Sequence, residues 1–224
     1  MKNLSLRLCL SLLSVLFVFS CERSNYTPSE PNEVTLEKQI DVSSLSQEET
    51  VEVMAELIIS IRDNFSSNKN GKLVPIKQKQ LGEVKQAKSL KDIESIVKQN
   101  GGNSALVLQK GSQLNGIAQF LRKNDIDIKQ ISSLVAKRVS EKTVQKYLSS
   151  AKKPDCSGLC SQQFNIDMGS CENVFMFELA GAIIAGGLSG GMAGSLGFII
   201  ATASYMDCES TTFGSFGTCS QGCE

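Results

Sequence analysis

The sequence predicts an all-α protein: a small bundle of short helices, followed by an antiparallel helical hairpin stapled by disulfides around a Gly-rich apolar centre. Three observations predict it. Val51, Met54, Ile58, Ile61 and Phe65 recur every three or four residues, the stripe of an amphipathic helix. Ser46-Gln47-Glu48-Glu49 and Ser89-Leu90-Lys91-Asp92 mark helix starts. Six cysteines near the C-terminus are spaced so that their intervals read the same in both directions.

The chain opens with Lys2 and Arg7, followed by an apolar run from Leu8 to Phe19 broken only by Ser11 and Ser14. A spanning helix needs about 20 apolar residues, so the run fits a signal-peptide core better. It ends in Val18-Phe19-Ser20-Cys21. With an aliphatic residue three before the cysteine and a small one just before it, this segment resembles the lipobox of bacterial lipoproteins. The resemblance covers the leader alone. It implies cleavage before Cys21, a diacylglycerol on the Cys21 thiol, and residence in the cell envelope on a lipid anchor. Stable anchoring takes more than one acyl chain, and a fully processed lipoprotein carries several. Residues 21–44 are polar and contain Pro28 and Pro31, as a flexible stalk would.

Residues 45–153 are expected to form a basic helical module and residues 154–224 a Cys-rich hairpin. The zero net charge hides this division. Glu22 to Gly71 holds four basic and ten acidic residues, Lys72 to Lys153 seventeen basic and six acidic, and Pro154 to Glu224 no Lys or Arg and seven acids. Such a basic segment could meet anionic envelope lipid or another envelope protein, or the two oppositely charged segments could face each other. The chain has no His, which removes the usual neutral-pH base and the commonest metal ligand. No nucleophile-and-base pair is evident, so neither an enzyme nor a metal or organic cofactor is expected.

Within the module, the first helix is expected to end at Asn68-Lys69-Asn70-Gly71, with Leu73-Val74-Pro75-Ile76 extended because Pro75 disfavours helix before it. The helix begun at Ser89 carries Ile93, Ile96 and Val97 and closes at Asn100-Gly101-Gly102. Further helices are expected near 112–123, 127–138 and 140–150. The run from Ile131 to Leu148 resembles a helix-turn-helix, with Ser140, Thr143 and Val144 at the start of the second helix. The segment between Ala136 and Val139 is too short for that family's turn, so two capped helices are expected and no nucleic-acid partner.

The mirrored cysteines are Cys156, Cys160, Cys171, Cys208, Cys219 and Cys223, spaced C-x3-C-x10-C-x36-C-x10-C-x3-C. Six cysteines allow fifteen pairings. The mirror singles out 156 with 223, 160 with 219 and 171 with 208, as two antiparallel helices would join them. Steps of four and eleven residues rotate a helical side chain by about 40° and 20°, so each arm keeps its cysteines on one face. An even set in an exported chain favours disulfides, with a zinc site as the rival. Gly214 and Gly217 weaken the last arm as a helix. The arms resemble the twin C-x3-C helical hairpins of small oxidised proteins, in spacing only.

Between Cys171 and Cys208, Leu179 to Met206 carries no charge. Gly186, Gly190 and Gly194 repeat every fourth residue, offset by Gly187 and Gly191. This run is similar to those of glycine-zipper lipoproteins and pore-forming bacteriocins, and the spacing lets helices approach closely. Three arrangements follow: a close-packed hairpin tip, a tip inserted in a bilayer, or one spanning helix. The function expected is an exported, lipid-anchored envelope protein with a structural or interaction role. The alternative is a membrane-active effector working through the glycine-zipper hairpin.

Overall fold

A computed structural model describes residues 42–65, 67–69, 72–74, 77–150, 159–189 and 192–221. A single 3-10 turn, Val42–Ser44, leads into α1 (Gln47–Phe65). The Ser46 Oγ accepts from the Glu49 amide at 3.2 Å, and Glu49 Oε2 accepts from the Ser46 amide at 2.7 Å, the reciprocal cap expected there. All five residues of the expected stripe are buried.

α1 ends at Phe65, three residues before the expected Asn68, and Leu73 and Val74 are extended as expected, within a short hairpin that was not. β1 (Ser67–Lys69) and β2 (Lys72–Val74) pair antiparallel, with Lys69 opposite Lys72. Only Asn70 and Gly71 lie between the strands, and Asn-Gly is the dipeptide that two-residue hairpins favour. Two short helices follow, α2 (Gln78–Lys85) and α3 (Leu90–Gln99). Ser89 caps α3 through the Asp92 amide. Gly101 sits at φ 73°, and the amides of Gly101 and Gly102 return to the carbonyls of Lys98 and Val97. This Schellman closure needs a residue free to adopt a left-handed backbone. Gly102 also has no room for a side chain, since a Cβ there would stand 2.6 Å from the Asn64 carbonyl oxygen.

α4 (Ser104–Lys123) begins eight residues before the expected start, capped by Asn103. α5 (Ile128–Ser150) is one continuous helix. The expected break between 138 and 140 is therefore absent. Ser140 caps nothing; it lies on the buried face of α5, beside Glu172 and Tyr205. Val135, Ala136 and Val139 share that face and are buried with it. Packing thus carries the helix through the sequence that resembled a turn.

α6 (Leu159–Ser189) and α7 (Met192–Gln221) run antiparallel and form the hairpin. α7 continues through Gly214 and Gly217, whose side-chain positions open onto empty space. α4 packs across both arms, α5 lies along α6, α1 sits against α4 and α5, and α2 lies along α7. Residues Ile40–Glu224 form one compact unit. Its core runs unbroken from Met54, Ile58 and Ile61 through Leu114, Ile117 and Val135 to Phe175, Phe198 and Tyr205. Residues on both sides of position 153 contribute to that core. The oppositely charged segments meet inside one molecule, where Lys85 pairs with Asp207, and Arg138 and Lys146 pair with Glu52 and Asp63.

Candidate functional site

Two disulfides tie the hairpin arms, Cys160 to Cys219 and Cys171 to Cys208, with Cα separations of 5.9 and 5.7 Å. Both match the mirrored pairing. Cys21 and the third expected pair, Cys156 with Cys223, lie outside the described residues. Beside the outer bridge, Tyr147 of α5 stacks on Phe213 with ring centroids 4.0 Å apart, and Phe164 and Phe216 complete an aromatic cluster. The bridge and the rings together close the open end of the hairpin.

The glycines act at the other end. Gly186 of α6 and Gly194 of α7 face each other so closely that a Cβ on Gly194 would lie 2.3 Å from the Gly186 Cα. Asn115 of α4 enters the same crossing, and its Oδ1 would meet a Cβ on either glycine, at 2.5 Å for Gly186 and 2.0 Å for Gly194. That oxygen is buried without a conventional hydrogen-bond partner. Glycine Cα–H groups at close helix crossings are weak donors, which gives the oxygen a polar surface to face. Gly187 lies under the Arg122 side chain, whose Cδ occupies the place of a Cβ. Gly186, Gly187 and Gly194 thus serve contacts within this chain; Gly190 and Gly191 lie outside the described residues. The uncharged stretch from Leu179 to Met206 is divided between two antiparallel arms, which excludes one continuous spanning helix through it.

A polar cluster that the sequence did not reveal links three helices. Arg62 of α1 donates to Thr143 of α5 at 3.0 Å and to Glu209 of α7 at 2.6 Å. Glu209 is 4% exposed, and its second oxygen has no partner. Burial pushes its pKa up to about 7, against the opposing pull of Arg62. Tyr205 lies beside Ser140 and Thr143, and burial raises its hydroxyl to about 12. Thr143 and Glu209 are 81 and 147 positions from Arg62, so no local spacing could announce the cluster. Among the described residues no group of His, Cys, Asp and Glu is placed to hold a metal.

The surface feature best suited to a partner is the outer face of α6. Ile166, Val174, Phe177 and Ile184 are 63, 54, 69 and 43% exposed. Eleven and seven residues separate Ile166 from Phe177 and Phe177 from Ile184, so the three align within about 20° along about 27 Å of helix. The spacing was present in the sequence but hidden, because α6 carries apolar residues on its buried face too: Phe164, Met168, Phe175, Leu179 and Ile183. A helix apolar on every side gives no directional signal. Beside the stripe, between α6 and α7, runs an open groove of about 610 Å³ whose walls include Lys85, Asp167, Ser170, Glu178 and Asp207.

Compared with family models, with curated proteins and with solved structures, the chain has no match.

Proposed function

We propose that this is a lipid-anchored protein of the bacterial cell envelope that serves as a rigid docking body rather than a catalyst. The observation that carries the reading is the exposed apolar stripe of α6, held on a hairpin whose arms are joined by two disulfides. Disulfides persist in oxidising compartments, and the leader ending at Cys21 supplies both the route and the tether. Exposed aligned apolar residues on a stapled helix suit recognition, because little ordering entropy remains to be lost on binding.

The test is metabolic labelling with a fatty acid analogue in the producing bacterium. Label on the protein, lost in Cys21→Ser and accompanied by retention of the uncleaved leader, is the expected result. An unlabelled protein released freely from the envelope would overturn the anchor.

A second reading, membrane activity through the hairpin, is favoured by one observation. Cys160–Gly187 is long and apolar enough to cross a bilayer, and only 33% of its most apolar window is buried. Dye release from liposomes by the whole oxidised protein tests it. No leakage at saturating protein removes that reading.

A further inference from the structure

We infer that the outer face of α6 is a docking surface for a cationic amphipathic helix of a partner protein. Ile166, Phe177 and Ile184 receive the partner's apolar stripe, and the acidic groove beside them receives its Lys or Arg side chains. The inference rests on the docking role proposed above and adds the chemistry of the partner.

The chemistry follows from what flanks the stripe. Val174, exposed and about 60° round the helix from Phe177, lines the groove and bridges it to the stripe, so the apolar and acidic surfaces are continuous. In the groove, three carboxylates, Asp167, Glu178 and Asp207, face one cation. That cation, Lys85, is paired with Asp207 at 2.5 Å. Among the described residues Asp167 accepts from the neutral Gln163 amide, at 2.7 Å. Glu178 is half-buried at the groove wall, with one oxygen sealed from solvent and without a hydrogen-bond partner. Nothing else in the hairpin can offset these acids, because residues 154–224 contain no Lys or Arg. A face that is apolar and negative complements a helix that is apolar and positive.

Two other occupants fit less well. A second copy docked by a two-fold axis would bring like acidic faces together. An anionic bilayer would be repelled, and embedding the stripe would draw Asp167 and Glu178 toward hydrocarbon.

The experiment uses full-length oxidised protein and three synthetic 18-residue helices that share one apolar stripe and carry flanking Lys, Gln or Glu. Fluorescence anisotropy should show the Lys helix binding at least tenfold more tightly than the Glu helix, with the preference shrinking at high salt. Phe177→Ser should weaken binding about tenfold or more, and Glu178→Gln several-fold. Phe177 is exposed, so circular dichroism should be unchanged in its variant. Equal binding of the three helices, or binding indifferent to Phe177→Ser, overturns the proposal. So does a dimer, or attachment to phosphatidylglycerol vesicles, that Phe177→Ser abolishes while the Lys helix fails to bind. A photo-reactive residue at position 177 in living cells separates the two levels of inference. Protein adducts without preference for the Lys helix leave the docking role standing and remove the cationic partner. No protein adduct removes both.

Discussion

Glu209 places a titration inside the folded protein. Its carboxyl moves from an ordinary 4.5 to about 7 because burial outweighs the attraction of Arg62, with Asp63 of α1 raising it further and Lys146 of α5 opposing. An acid that holds its proton more tightly when folded stabilises the fold below its unfolded pKa and loses that stabilisation as pH rises. Chemical denaturation should therefore show stability falling from about pH 4.5 to about pH 7. The carboxyls of Glu172 and Glu178, also raised by burial, tilt the curve the same way. Glu209→Gln should flatten the curve; an unchanged slope would assign the effect to other groups. Arg62→Ala should cost about 3 kcal/mol at pH 8, where it leaves an ionised Glu209 buried and unpaired. The loss should be smaller at pH 4.5, where that carboxyl is neutral. Nothing in the sequence distinguishes Glu209 from the other acids, since its partners come from α1 and α5.

At the scale of the element, glycines divide into those that permit a contact and those that only loosen a helix. Gly186→Ala should destabilise by about 1–3 kcal/mol through its clash with Asn115, and Asn115→Ala should restore much of the loss. Gly194→Ala should not be rescued in this way, because its Cβ also strikes the Gly186 Cα. Thermal melts of the two double variants check the difference. Gly116, with nothing near its Cβ position, should behave oppositely, Gly116→Ala raising stability by up to about 1 kcal/mol. The caps of α1 and α3 and the stripe of α1 were legible in the sequence, since each is set by residues within a few positions. The unity of α5 was not. Local signals favoured a break after Arg138, while burial of Val139, Ser140 and Thr143 against the hairpin requires the helix to continue.

For the whole molecule, the cysteine spacing was the most legible feature, because a mirrored interval constrains distant residues as well as near ones. The groove and stripe were not legible, since they depend on which side of α6 the rest of the bundle covers. The bridges close loops of 37 and 59 residues. On the chain-entropy model, loss of the inner bridge in Cys171→Ser/Cys208→Ser should cost about 4 kcal/mol. The two bridges are nested, so their effects overlap, and reduction of both should cost less than twice that amount. Urea midpoints with and without reductant measure it.

The same nesting sets a problem of order during synthesis. Cys160 and Cys171 leave the ribosome long before Cys208 and Cys219, and each stands closer in the chain to the wrong partner than to its own. An oxidant acting on the nascent chain would join neighbours first, because short loops close more readily. Native bridges then require either that the hairpin folds before its thiols are oxidised, or that a disulfide isomerase reshuffles the early products. On the second route, maturation of this protein depends on isomerase activity far more than that of proteins whose cysteines pair in sequence; on the first it does not.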